Sequence, residues 1–401
     1  MKKLIFIKLI IFFILGIQSI AISQQKEIPK EKIKIGFSMA LTGIYAPGAE
    51  SQMNAYLLWG EEINKKGGIF IKEMGKKLPV ELIYYDDQSQ PEVAVRIYEK
   101  LITKDKVDLI MSPWGTTIHF AIAPLSEKYK IPLIGTTAAS VKLREVKGSY
   151  FWFITACIPD RQMKSFVEML KAKEVKTTSI LYLQELFPRE NLQFLEPALK
   201  EAGIKVILKK DYPMGIKDLI PLLTEVKGKN ADAVIALTYP ADSFLITGQA
   251  KEVGLNPKLF MELVGPAIIG FYEKFGSATE GIVTQGHWSP KGKWPGAKEF
   301  LENYKARWKK KPDYLDSTLG YIGCQILEQA IQKAGTLNRI KLREVIANEE
   351  FITINGPIKF TGIENLKTPS MWLQWQKGEL EIIWPPEVAT AELLFPKPNW
   401  P

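Results

Sequence analysis

From Lys32 onward, short apolar runs rich in β-branched residues alternate with longer stretches in which apolar residues recur every three or four positions. The first pattern is that of a buried strand and the second that of a helix. Ile33 to Met39 reads as a strand, and Gly48 to Lys66 as a helix closed by lysines and the glycines Gly67 and Gly68. Val80 to Tyr85 is the next strand. Ser89 to Glu92 has the spacing of a capping box with Pro91 in the first turn. The alternation continues through strands at 107–111 and 132–134, with a helix at 117–129 between them. It then starts afresh, with strands at 150–155, 178–183, 205–209, 231–237, 259–261 and 281–285 separated by helical segments. Two successive β-α series predict two α/β lobes, each built on a parallel sheet covered on both faces. After His287 the pattern changes to three helices, 296–309, 314–333 and 339–347, then short strands at 358–360, 371–376 and 380–383. A Pro-rich tail, 386–401, follows.

The chain has 401 residues, room for two domains. Its first residues have a character of their own. Lys2 and Lys3 precede an unbroken apolar run, Leu9 to Leu15, and Ala21-Ile22-Ser23 has the small-x-small form of a cleavage site. Residues 1–23 therefore read as a secretory signal peptide. The apolar stretch is shorter than the roughly 20 residues a spanning helix needs, and no cysteine follows it to carry a lipid. The net charge of +9 is spread along the chain, and its densest run, Lys309 to Lys311, reads as a solvated face. Nucleic acid is not an expected partner. Export permits a disulfide, but Cys157 and Cys324, the two cysteines, read better as buried thiols.

Catalytic signatures are sparse. There are two histidines, His119 and His287, and no G-x-S-x-G, C-x-x-C, H-E-x-x-H, Walker A or G-x-G-x-x-G pattern. No metal, cofactor or catalytic residue is expected. Asp86-Asp87 reads as a strand end before a helix, where acids suit the dipole. The chain does offer small hydroxyl-bearing turns after three strands: Ala40 to Tyr45, Ser112 to Thr117 and Gly135 to Ser140. Ligands of open α/β sheets bind beyond the carboxyl ends of the strands. Helix-start N–H groups with serine and threonine hydroxyls there would suit a carboxylate. Thr42, Tyr45 and Trp114 lie in or beside these turns and are candidate cleft residues.

These turns lie within segments that resemble the branched-chain amino acid (leucine/isoleucine/valine-type) binding proteins of ABC importers, which have the type I periplasmic-binding fold. The matching pieces include IKIGFSMALTGIYAPGAES, YYDDQSQPEVAVRIYEKLI, KVDLIMSPWGTT, IPLIGTTAAS, DAVIALTYPADS and ATEGIVTQGHWSP, in the family's order and over nearly all of the chain after the leader. The resemblance implies an α/β fold of two doubly wound parallel-sheet lobes joined by a three-crossover hinge that closes on ligand. Lobe 1 would comprise 32–154 with 288–355, and lobe 2 would comprise 155–287 with 356–385; crossings fall near Ile154 to Pro159, Gln285 to Trp288 and Ile354 to Pro357. Carried over one at a time, the carboxylate-binding turn falls on Trp114, Gly115 and Thr116, and the next turn on Thr137, Ala138 and Ala139. Aromatic positions of the second lobe fall on Phe187 and Tyr239. The acid that often holds a ligand ammonium falls on Val264, so Glu262, two residues away, is the candidate replacement. Should Glu262 not reach, the ligand would lack an α-ammonium.

The implied function is that of a monomeric receptor outside the cytoplasm, delivering an amino acid or related amide or carboxylate to membrane-embedded ABC permease subunits. A ligand sensor of the same fold would share every one of these features. An exported enzyme would need a nucleophile or base in the cleft, and only His119, His287 and Cys157 are candidates.

Overall fold

The computed structural model describes residues 30–401. The expected signal peptide lies outside them. Among the described residues no helix is long and apolar enough to cross a membrane.

The strand Ile33–Met39 is buried on both faces, with only Lys34 partly exposed, as suits a central strand of a parallel sheet. It pairs in parallel with Val80–Asp86, Ile33 opposite Val80 through Met39 opposite Asp86, and on its other side with Leu109–Ile110. A second sheet of the same lobe runs Glu350–Thr353, Gly356–Thr361, Glu364–Asn365, Phe151–Phe153, Leu133–Gly135. The other lobe has one seven-stranded sheet in the order Glu379–Trp384, Met371–Gln376, Ile282–Gly286, Leu259–Glu262, Ala233–Leu237, Thr177–Leu183, Lys205–Tyr212. Its last five strands are parallel, and the first two form an antiparallel hairpin on the edge. The centre of this sheet is apolar throughout: Ala233–Leu237 is wholly buried.

The late helices return to the first lobe, as the change of pattern after His287 suggests. The helix Asp316–Ala334 lies against the helix Ala46–Lys65, and the approach is close because small residues line it. A Cβ on Gly320 would stand 3.0 Å from Gln52, and one on Gly323 would stand 2.7 Å from Thr136.

Three segments pass between the sheets. One follows Phe151–Phe153 and one follows Ile282–Gly286, close to where they are expected. The third differs. Gly356–Thr361 and Glu364–Asn365 pair within the first lobe's sheet, Glu364 opposite Phe153, so the chain crosses between Asn365 and Met371 rather than at 354–357. Short strands carry apolar patterns that say they are strands without saying which neighbour they join. The crossings are tied together by hydrogen bonds: Asn365 Nδ2 to the Ile154 carbonyl (3.1 Å), Thr155 Oγ1 with His287 Nε2 (3.0 Å), and Ser370 Oγ to the Ala156 carbonyl. Beside them, Glu364 accepts from Arg144 Nε (2.8 Å) and from Arg161, and Arg144 also donates to Asp160 (2.7 Å).

Candidate functional site

The turns after the first lobe's strands are built by the polar groups Asp86, Asp87 and Ser89. Asp86 accepts from the N–H groups of Leu41 (3.0 Å) and Thr42 (3.2 Å) and from the Thr42 hydroxyl (2.6 Å). Asp87 is fully buried and accepts from Ser38 Oγ (2.6 Å); burial pushes its carboxyl up to about 6. The expected capping box at Ser89 does not form. Ser89 instead takes a left-handed conformation and clips the first turn, accepting from the Tyr45 N–H (3.0 Å) and donating to the Thr42 carbonyl (2.8 Å). Helix 91–103 starts without a side-chain cap. Thr42 is therefore exposed, its hydroxyl is committed to Asp86, and it stands outside the cleft. Tyr45, at the end of the turn, is buried in the interface between lobes.

The second turn opens an uncapped helix at the candidate site. Gly115 precedes the helix Thr116–Lys128 with φ +90°, a conformation that favours glycine, and no side chain caps the helix. The first-turn N–H groups of a helix have no acceptors within it, and the dipole leaves them positive. The turn is held by its own neighbours. Gly115 N–H donates to Thr137 Oγ1 (3.1 Å), and Ala139 N–H donates to Thr116 Oγ1 (3.1 Å), which leaves the Thr116 O–H free to donate. His119 is fully buried. Its Nδ1–H and its main-chain N–H both donate to the Gly115 carbonyl (2.8 and 3.1 Å), and burial lowers the imidazole to about 4, so it is neutral. His119 thus holds the turn and does not face the cleft.

The second lobe supplies Phe187 and Tyr239. Tyr239 sits at the start of the helix Pro240–Val253, its N–H bonded to Asp242 Oδ1 (3.0 Å), and Asp242 also accepts from the Tyr212 hydroxyl. Burial pushes Asp242 up to about 7. The two lobes meet through aromatic rings: Tyr45 and Trp114 from one, Tyr239 and Phe187 from the other. Ring centres lie 5.8 Å apart for Tyr45–Tyr239 and for Trp114–Tyr239, and 6.1 Å for the stacked Phe187–Tyr239 pair.

Trp114, Gly115, Thr116, Thr137, Phe187 and Tyr239 line one cavity between the lobes. Val264 lines it too. Ala138 does not; its neighbour Ala139 takes that place. Glu262 is a correction. It is fully buried at the end of the strand Leu259–Glu262, accepts from Thr247 Oγ1, and does not line the cavity; burial raises its carboxyl well above the usual range. Sequence reasoning missed Thr155, Gln285, Leu315, Asp316 and Leu319, which also line the cavity. These come from the crossings and from the start of the returning helix, where no local pattern marks a binding role. Cys157 lines it as well, as a buried free thiol that burial pushes up and so keeps protonated. His287 stands behind Thr155, and burial lowers it to about 3. Among the described residues no cluster of His, Cys, Asp and Glu could hold a metal ion.

The cavity has about 30 Å³ of room, enough for about two waters. The rings have closed on one another. A hollow of about 500 Å³ adjoins it, sharing Tyr239 and bordered by Tyr45, Ile44, Met214 and Phe244.

A family model described as periplasmic binding protein matches residues 32–379, most of the chain. The chain belongs to the periplasmic binding protein family. This periplasmic binding protein is 23% identical over 384 residues to the Leu/Ile/Val-binding protein homolog 7 of Brucella suis, covering 91% of this chain and 94% of that one. Its fold is similar to that of a branched-chain amino acid transporter substrate-binding protein from Streptococcus pneumoniae solved with isoleucine: TM-score 0.77, 20% identity, 88% of this chain and 100% of the other. It is similar as well to a solute-binding protein of an ABC transporter from Rhodopseudomonas palustris solved with 3,4-dihydroxybenzoic acid: TM-score 0.76, 22% identity, 88% and 95%. The fold is the type I periplasmic-binding architecture, and the family consists of binding proteins rather than enzymes.

Proposed function

We propose that this periplasmic binding protein is a receptor outside the cytoplasm that captures an amino acid, or a related amide or carboxylate, between its lobes and presents it to the permease subunits of an ABC importer. The observation that carries this reading is the uncapped helix start at Gly115–Thr116, opening into a cavity walled by aromatic rings from both lobes. A carboxylate accepts from the free N–H groups and the Thr116 O–H. The ligand's apolar or flat body lies among Trp114, Phe187 and Tyr239. The narrowness of the cavity requires the lobes to part for entry, and the three bonded crossings are where that bending would occur. The receptor works as a monomer and is exported by its leader. Relatives solved with isoleucine and with a dihydroxybenzoic acid bracket the solutes worth testing.

The test is calorimetric titration of residues 24–401, unfolded and refolded to strip ligand, with leucine, phenylalanine, simple amides and benzoates. One-to-one binding at micromolar affinity or tighter, with no turnover, is expected. Heat from none of these solutes, or chemical conversion of any of them, contradicts the reading.

A further inference from the structure

One acid in the cleft has an oxygen that no group of the protein bonds. Asp316 is the first residue of the helix Asp316–Ala334, yet the start of that helix is served by Asp313. Asp313 Oδ1 accepts from the N–H groups of Leu315 (2.9 Å) and Ser317 (3.0 Å), and its carbonyl accepts from Ser317 Oγ (2.8 Å). Asp316 is 2% exposed and lines the inter-lobe cavity, and its Oδ2 has no hydrogen-bond partner. The nearby donor is the Trp114 indole N–H, which bears on the carboxyl without closing a full hydrogen bond and is itself without a partner. No lysine or arginine lines the cavity.

A buried carboxyl without a partner is costly, and a protein that retains one in a ligand cleft has a use for it there. We infer that Asp316 is the group that receives the ammonium of a ligand whose carboxylate lies at the Gly115–Thr116 helix start. This rests on the reading of the cleft as a solute site. It replaces Glu262, which is bonded away from the cavity, and it compensates for the apolar Val264. The cleft then offers a positive helix start and a buried carboxyl that ionises when an ammonium sits beside it, together the complement of a zwitterion. Acids without the amine would leave Asp316 buried beside them with nothing to bind.

The experiment titrates wild type and Asp316→Asn with matched pairs: phenylalanine against 3-phenylpropanoate, and leucine against 4-methylpentanoate. Wild type should favour the amine-bearing member of at least one pair by tenfold or more. Asp316→Asn should lose that preference while binding the amine-free member as well as wild type does or better. Its melting temperature should hold or rise, because a nearly isosteric neutral group replaces the unpaired acid. A merely structural Asp316 would instead weaken both members alike and leave their ratio unchanged, which overturns the assignment. Wild type that prefers the amine-free acids also overturns it, while the receptor reading stands. Wild type that binds no member of either pair also overturns it, and the receptor reading then rests on the amides and benzoates of the wider panel.

Discussion

Gly48→Ala tests how the first lobe aims its indole into the cleft. Gly48 lies in the first turn of the helix Ala46–Lys65, beneath Trp114. A Cβ there would stand 2.6 Å from Cζ2 of the indole, 2.8 Å from Cε2 and 3.1 Å from Nε1. Ordinary contact begins at 3.4 Å, so the ring has to withdraw by about 0.8 Å. Trp114 and Tyr239 both line the cavity of about 30 Å³, so a displaced indole reshapes the site. Overpacking costs about 1–3 kcal/mol, and replacing glycine by alanine in a helix returns up to about 1 kcal/mol. The variant should therefore be destabilised by about 0–2 kcal/mol and remain folded. Its affinity for the tightest-binding solute of the panel should fall by tenfold or more, about 1.4 kcal/mol. Adding Trp114→Phe, which removes the clashing part of the ring, should restore stability but not affinity. Denaturant midpoints and calorimetric titrations read the two quantities separately. Wild-type affinity in Gly48→Ala would refute the placement of the indole against the ligand.

Three further outcomes follow from the geometry. Thr116→Ala should weaken binding by about 10–100-fold, the loss of a hydrogen bond to a charged group of about 1.5–3 kcal/mol; titration showing unchanged affinity would remove Thr116 from the site. The pH dependence has two parts. Asp87 at about 6 and Asp242 at about 7 have carboxyls raised in the folded protein, so each contributes stability that is full below about 4 and lost as pH rises through those values. His119 at about 4 and His287 at about 3 are lowered, so their stability is full above about 6.5 and lost as pH falls toward those values. The melting temperature should accordingly rise from pH 8 to pH 6, and Asp242→Asn should flatten that rise; a wild-type curve that falls over this interval contradicts the burial of these acids. Glu364→Gln leaves Arg144 and Arg161 without their shared carboxylate beside the crossings. Both arginines are partly exposed, so the cost should be modest, about 1–2 kcal/mol in the urea midpoint at unchanged slope.

Much of the fold was legible because its central strands are buried on both faces and most of its helices on one, and that difference is written in the period of the apolar residues. The lobe assignment of 356–365 was not, because a strand such as Gly356–Thr361 shows that it is a strand and not which edge it joins. Of the site, the parts on strand-to-helix turns were readable: Gly115 and Thr116 open a helix without a cap, and Trp114, Phe187 and Tyr239 stand beside such turns. Thr42 looked equivalent, but its hydroxyl belongs to Asp86 through a contact 44 residues away. Glu262 looked close enough in sequence to reach, yet it ends its strand, the chain turns at Val264, and its carboxyl is taken by Thr247. Asp316 was unreadable because an acid at a helix start looks like a cap, and only the structure shows that Asp313 already fills that role.

The central claim is that the lobes clamp a small solute between Trp114 and Tyr239, and solution X-ray scattering of the stripped protein with and without its tightest solute tests it most directly. Because the closed cavity has about 30 Å³ of room, the stripped protein should be more extended than the structure described here and should contract on saturation with one equivalent. Superimposable scattering curves, alongside a titration that shows the solute bound, would contradict the clamp.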